Sequence, residues 1–405
     1  MSASNSPPAD GPAAIPRAAR LLLKLLGRLA AGRLELIGPD GTLRAFGEPT
    51  AEPSATLRLR DWEVCTDVLR AGDIGFAEAY FDKRWDTPDL AVLLHVAAVN
   101  HTAIERAIYG RWWGWLGYRL RHLLRANTRA QAKKNIHAHY DLGNRFYALW
   151  LDRTMSYSSA LFEGRLRMAF EDAQALKYER ICERLGLGSG DRVLEIGCGW
   201  GGFAEHAART RGCHVHGLTL SAEQLAYAQE RISGAGLAHL CSFELRDYRD
   251  IGGEFDAIVS IEMFEAVGER WWSTYFRTLR DRLKPGCRAL VQTITIADDL
   301  FARYRRGTDF IQQYVFPGGM LPSQSAFREV AFHNGLSTGE ATAFRLDYAE
   351  TLKRWRTRFN AQLPELHALG FDERFVRLWD FYLAYCEAGF RAGTIDVIQI
   401  DLKRG

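Results

Sequence analysis

Residues 193–203, VLEIGCGWGGF, set an acid and a glycine-rich turn where a ligand could be held. Val193, Leu194 and Ile196 read as a short buried strand with Glu195 near its end. Gly197, Gly199 and Gly201 then turn the backbone into the opening of a helix. Glycine allows a sharp turn and a close approach to a ligand because no Cβ intervenes. The spacing is G-x-G-x-G, not the dinucleotide G-x-G-x-x-G, and no Lys-Ser/Thr follows to grip a phosphate. A glycine turn with an acid and no phosphate cradle suits an adenosyl ligand without phosphates, such as S-adenosylmethionine. A plain tight turn in an α/β domain would use the same residues.

The elements that must position this turn follow from the pattern around it. A helix is expected over 165–187. Strands at 192–196, 214–219, 240–246, 255–261 and 288–296 then alternate with helices at 201–211, 222–233 and 270–283. That alternation implies a Rossmann-like α/β domain, a parallel sheet with helices on both faces. Ligands bind such sheets at the carboxyl ends of the strands. Gly197, Thr219-Leu220-Ser221, Asp247, Glu262 to Glu265 and Gln292 to Ile294 all fall there. Residues 297–325 look too irregular for a helix and read as an inserted lid or pocket wall. Helical pattern returns over 350–362 and 372–391, and strand 395–402 is expected to close the sheet in a terminal hairpin. Residues 137–162, rich in aromatic and polar side chains, read as a segment closing over the ligand.

The 405 residues suffice for a large domain and a smaller one, here 1–16 as a disordered tail, 17–125 as an N-terminal module with linker, and 126–405 as the catalytic domain. A net charge of +3 is too small to imply nucleic acid by itself. Seven cysteines without C-x-x-C or Cys/His ligand spacing argue for a reducing compartment and against structural zinc. No apolar run is long enough to span a bilayer, and Lys24 and Arg28 break the first apolar stretch, against a signal peptide. In 17–30, Arg17, Arg20, Lys24 and Arg28 share one helical face and Leu21, Leu22, Leu25 and Leu29 the other. Such a helix can lie on an anionic membrane or dock on its own domain. Residues 33–60 read as a small β region and 61–98 as helices. Trp112, Trp113, Trp115 and Tyr118 among arginines in the linker suit a headgroup zone, stacked bases or simple packing.

From about His139 onward the chain resembles the S-adenosylmethionine-dependent cyclopropane fatty acid synthases, including the mycolic acid cyclopropane synthases. YDLGNRFYALWLD, MSYSSALF, GLTLSAEQLAYAQER, MFEAVGERWW, QTITI, YVFPGGMLPS, DYAETL and FRAGTIDVIQ carry the likeness beside the glycine turn. Residues 61–98 resemble the lipid-associated N-terminal module of the longer bacterial synthases. The resemblance implies a cofactor site at Tyr157, Ser158, Gly197, Cys198, Gly199, Thr219, Leu220, Gln224, Asp247 and Tyr248. It implies that Glu265, Ile294 and Tyr348 surround a bicarbonate used as the base. Ser159 stands where these synthases usually carry Cys, Gln292 where they carry His, and Ala266 where His is usual. Ser159 and Gln292 still donate hydrogen bonds to an oxyanion, but Gln292 does not titrate and Ser159 is no thiolate.

The implied reaction adds the methyl carbon to the double bond of an unsaturated acyl chain, with Tyr157 or Phe264 facing the resulting cation and Glu265 holding or acting as the base. Proton loss from the new methyl group closes a cyclopropane, the expected product. Loss from a neighbouring carbon leaves a methyl-branched alkene, and the changes at Ser159 and Gln292 favour weighing it. Glu265 could instead cap the helix opening near Glu269. The partners implied are unsaturated phospholipids at an anionic membrane surface on the cytoplasmic side; a homodimer is compatible, and nucleic acid is not expected. A methyltransferase for soluble metabolites, or a noncatalytic lipid-binding protein on this fold, are the competing readings.

Overall fold

The computed structural model describes residues 15–101 and 142–405, which fall into two compact units. The expected boundary at 125/126, the linker tryptophans and the 1–14 part of the tail lie outside the described residues.

The smaller unit orders α1 (Arg17–Leu26), β1 (Arg33–Ile37), β2 (Leu43–Gly47), β3 (Ser54–Leu59), α2 (Glu63–Phe81), β4 (Trp85–Asp86) and α3 (Leu90–Val99). Its sheet runs β2-β1-β3-β4, with β1 and β3 parallel. Pro39-Asp40-Gly41 makes the expected turn: Asp40 accepts from Thr42 N and Gly41 N–H reaches Gly38 O. Gly72, at φ 61°, breaks α2 because only glycine adopts that conformation cheaply. Buried Asn100 accepts from Ala30 N and Ala31 N and donates to Ala31 O and Val96 O, tying the chain after α1 to the end of α3. α1 ends at Leu26, short of the expected residue 30; Arg17, Arg20, Lys24 and, beyond the helix, Arg28 are exposed, Leu21 is exposed too, while Leu22, Leu25 and Leu29 are half-buried and α1 packs on α2. The leucine stripe is thus partly used for docking rather than left free.

The larger unit orders α4 (Asn144–Ala148), α5 (Phe170–Leu185), β5 (Arg192–Ile196), α6 (Gly202–Arg211), β6 (His214–Thr219), α7 (Ala222–Gly234), β7 (Cys241–Leu245), β8 (Phe255–Ile261), α8 (Trp272–Arg282), β9 (Leu283–Ile296), α9 (Asp298–Tyr304), α10 (Gln324–His333), β10 (Leu336–Ala343), α11 (Arg345–Ala361), α12 (Leu363–Ala368), α13 (Glu373–Ala392) and β11 (Ile395–Arg404). The sheet order is β10-β11-β9-β8-β5-β6-β7. Strands β5 to β9 are parallel and β11 runs against both of its neighbours. The chain leaves β5 toward β6 and β7, then returns to β8 and β9 on the other side. The reversal between β5 and β8 opens a crevice at their carboxyl ends. One apolar layer gathers Tyr178, Ile181, Phe203 and Ala207 against the sheet; the other gathers Phe264, Trp272, Phe276 and Phe327.

Three expectations are corrected. The last strand does not close a hairpin: helices α11 to α13 separate β10 from β11. Residues 297–325 are not wholly irregular; they hold α9 and a π-helical turn, Ile311–Val315. Asp298 and Asp299 favour the start of α9, and Phe310 is fully buried against Phe381 and Tyr385. Finally, the helix expected over 165–187 starts later, at Phe170, and is closed by left-handed Gly186, two residues before Gly188.

Candidate active site

Gly197, Gly199 and Gly201 all have positive φ (85°, 51° and 81°). A Cβ at Gly197 would meet Met263 Cγ at 2.9 Å and one at Gly201 would meet Ala228 Cβ at 3.1 Å, whereas one at Gly199 would meet nothing within 4 Å. Two of the glycines therefore let the turn pack, and the third borders open space beyond β5. Cys198 is buried beneath this turn: a Cβ at Gly217 would meet its Cβ at 2.9 Å. Beside the turn, Ser221 caps α7 by accepting from Gln224 N. The Thr219 hydroxyl donates to Gln224 Oε1 at 2.9 Å, which directs the Gln224 amide NH2 away from it, and Leu220 is half-buried between them. After β7, Asp247 accepts a bidentate pair from Arg249, whose guanidinium lies over Trp271 and Tyr248.

The segment over the crevice is aromatic. The Tyr157 ring packs on Tyr147, Trp150 and Trp355, and its hydroxyl pairs with that of Tyr382 at 2.7 Å. Tyr348 stacks on Phe390 with centroids 4.4 Å apart and meets the same Trp355 edge-on. Next to Tyr157, the Ser158 hydroxyl accepts from Lys177 Nζ at 2.6 Å. Lys177 is fully buried, and burial lowers its pKa to about 8.

The centre of the crevice is a carboxylate with no role in the sequence reading. Glu262 follows β8 with φ 50°, a conformation that favours glycine. Its Oε1 accepts from Ser159 N at 2.8 Å and Gln292 Nε2 at 2.7 Å, and its Oε2 accepts from Tyr348 OH at 2.5 Å. Burial raises its pKa, opposed by Tyr348, by the charge of Lys177, and by the other two donors. Three residues on, Glu265 Oε1 accepts from Ile294 N, and its Oε2 is buried without a partner. Burial, then the charge of Glu262, pushes the Glu265 pKa up to about 8. Glu195 Oε2 is also buried and unpartnered, and burial raises its pKa well above the ordinary range, against the charge of Lys177. Burying a charged carboxylate is costly, so both Glu265 and Glu195 are held toward the neutral, protonated form.

Predicted and observed roles differ in detail. Tyr348, Ser159 and Gln292 do converge, but on Glu262 and not around a vacant anion site. Ser159 contributes its backbone N–H, while its hydroxyl donates to Ala160 O. Glu265 caps no helix; Ile294 N occupies it. Phe264 faces no cation: the 3-10 turn Phe264–Ala266 sends it into the core among Trp272, Tyr275, Phe276 and Phe327. The residues resembling a bicarbonate site therefore do not fit a free bicarbonate, since three of their donors already serve Glu262. The open space at Gly199 leaves room for an adenosyl ligand to approach the glycine turn. The signal for Glu262 was present as two carboxylates three residues apart at the end of a strand facing the crevice.

Residues 127–400 match the mycolic acid cyclopropane synthetase family. The chain is 39% identical to a tuberculostearic acid methyltransferase of Mycobacterium tuberculosis, covering 92% of this chain and 88% of that one. It is 35% identical to a cyclopropane-fatty-acyl-phospholipid synthase of Escherichia coli, covering 87% and 88%. A crystal structure of a mycolic acid cyclopropane synthase complexed with SAH and CTAB superposes with TM-score 0.63 at 32% identity, over 67% of this chain and 98% of that one. The fold, the crevice and these matches agree: the chain belongs to the mycolic acid cyclopropane synthetase family of S-adenosylmethionine-dependent methyltransferases.

Proposed function

We propose that this enzyme adds the methyl carbon of S-adenosylmethionine to a double bond in a phospholipid acyl chain, and that Glu262 accepts the proton that leaves. The observation carrying the proposal is the Glu262 carboxylate, held by Ser159 N, Gln292 and Tyr348. When bound, the cofactor supplies an electrophilic methyl group. Gly197, Gly199, Thr219, Leu220, Gln224 and Ser158 would hold it, with Cys198 packing beneath them, Tyr157 and Tyr248 alongside, and Asp247 offering the lone pairs that Arg249 leaves. The alkene π pair would form the new C–C bond to that methyl carbon while the methyl–sulfur bond breaks and its pair returns to sulfur, leaving S-adenosylhomocysteine, and the adjacent acyl carbon would become a cation. The aromatic wall of Tyr157, Trp355 and Tyr348 excludes water and offers ring faces to that cation. Glu262 then takes a proton, and the released C–H pair closes a ring or forms an alkene.

The built-in carboxylate supports a reaction independent of bicarbonate. It also bears on the product. Everything up to the cation is common to both outcomes, and the chain departs from the cyclopropane pattern around the proton-accepting end, in Ser159, Gln292 and Ala266. We therefore assign a methyl-branched chain as product, in keeping with the name of the 39% identical relative. The exposed basic face of α1 supports a phospholipid at an anionic surface as the source of the acyl chain.

The test uses purified enzyme, S-adenosylmethionine and vesicles of one defined monounsaturated phospholipid, with and without bicarbonate. Both products have one mass, so proton NMR must separate them. A new vinylic-methyl signal or a methyl doublet, unchanged by bicarbonate, is expected. An upfield ring-methylene signal would overturn the product assignment. Dependence on bicarbonate would overturn Glu262 as the base.

A further inference from the structure

A line of buried polar side chains runs from Glu262 away from the crevice. Gln292 on β9 and Gln399 on β11 are direct cross-strand partners and wholly buried. Gln399 Nε2 donates to Gln292 Oε1 at 2.9 Å, and Gln292 Nε2 donates to Glu262 Oε1 at 2.7 Å. At the far end, Arg180 on α5 donates its Nε to Gln399 Oε1 at 2.8 Å, with its guanidinium 4.7 Å from the centre of the Phe344 ring. Arg184, one turn later, donates to Gln399 O at 3.0 Å and pins that strand residue.

The order of donors in this line is forced. A carboxamide can present either end, but a guanidinium only donates. Arg180 therefore requires the Gln399 oxygen, which leaves the Gln399 NH2 to face Gln292. That NH2 requires the Gln292 oxygen, which leaves the Gln292 NH2 to face Glu262. Reversing either amide would set two donors or two oxygens against each other. We infer that Arg180 and Gln399 are positioning residues that fix the direction of the Gln292 amide, so that Glu262 is always met by a donor and is kept ready to accept a proton. The inference rests on Glu262 being the proton acceptor. Other charges bearing on Glu262 come from Lys177 on α5 and Glu265 on its own turn, with Tyr348 donating from α11.

Gln399→Glu tests this. The replacement keeps shape and strengthens the contact with Arg180, so a purely structural role would be preserved. Its ionised carboxylate cannot donate to Gln292, whose amide must then turn its oxygen toward Glu262. The expected result is a fall in kcat of roughly ten- to a hundredfold, the factor carried by one hydrogen bond to a charged group. The acid limb of the kcat–pH profile moves to higher pH, because a carboxylate deprived of a donor holds its proton more tightly. The thermal shift produced by S-adenosylhomocysteine stays unchanged. Arg180→Met and Arg180→Lys provide a second test at a half-buried position: Met should reproduce the loss, and Lys, also a pure donor, should restore most of the activity. Wild-type kcat and pH profile in both Gln399→Glu and Arg180→Met would overturn the inference. Glu262→Gln separates the two levels: full activity there sinks the proton-acceptor reading, while an inactive Glu262→Gln beside an unaffected Gln399→Glu sinks the relay alone.

Discussion

Glu262 holds a non-glycine residue at φ 50°, at a cost on the order of 1 kcal/mol. The cost is offset only if the side chain does something there. Glu262→Gly should therefore leave thermal stability within a few degrees of wild type while abolishing turnover. It would also free the donors of Ser159, Gln292 and Tyr348 around a space fit for a small carboxylate. Added bicarbonate or formate should restore part of the activity of Glu262→Gly and not change that of the wild type; a fully active variant without either anion would refute the assignment. Glu265 makes a separate prediction through linkage. Its pKa is pushed up to about 8 in the fold from the ordinary 4.5 of a glutamate. Its neutral form is the one the fold tolerates, so its contribution is intact below about 4.5 and is lost as pH rises through about 8, at up to about 1.4 kcal/mol per unit. Glu265→Gln should flatten this loss, so the stability of the variant relative to wild type should rise between pH 5 and 8 in urea melts. Equal pH slopes would count against a buried, proton-holding Glu265.

The turn after β5 makes its prediction at the scale of an element. All three glycines are left-handed, so alanine costs about 1–2 kcal/mol at each, but their surroundings differ. Gly201→Ala adds a collision with Ala228 where α6 packs beside α7, and should lower the melting temperature of the unliganded protein. Gly199→Ala meets no neighbour and should lower it less, while losing most of the stabilisation by S-adenosylhomocysteine because the methyl group enters the ligand's space. Equal stabilisation of Gly199→Ala and wild type would place the ligand elsewhere. This strand–turn–helix unit was legible in the sequence because its apolar residues, glycines and cap all agree. Strands β5, β6 and β8 fall at their expected bounds for the same reason. Strand β10 was not legible: LSTGEATA carries small and polar residues on an exposed edge and has no apolar period to read. Nor was α9, whose short run precedes Gly307 and two prolines. Glu262 was legible as a residue but not as a site, since its role depends on Ser159, Gln292 and Tyr348 meeting from three distant stretches of chain.

For the whole molecule, the question is how the enzyme reaches an acyl group. Among the described residues no helix is long and apolar enough to cross a membrane. The leucine side of α1 is partly spent on its own unit, so deep insertion of that helix is not the expected mode. Exposed are Leu21 from that side and the cationic residues Arg17, Arg20 and Lys24 of α1, with Arg28 just beyond it. Attraction of that face to anionic headgroups is worth about 1 kcal/mol per basic residue near the surface and falls off within a Debye length. Binding carried this way should depend on lipid charge and salt rather than on apolar depth. Wild-type protein should float with anionic vesicles and not with neutral ones, and should be released as salt rises from about 0.05 to 0.5 M. Replacing Arg17, Arg20, Lys24 and Arg28 together by Glu should abolish flotation. The same variant should keep its S-adenosylhomocysteine thermal shift and its activity on a detergent-dispersed lipid, since all four belong to the smaller unit and the residues proposed for cofactor and proton transfer belong to the larger. Retained flotation on anionic vesicles would move membrane contact away from α1, and salt-resistant binding would require an apolar contact that this face does not supply.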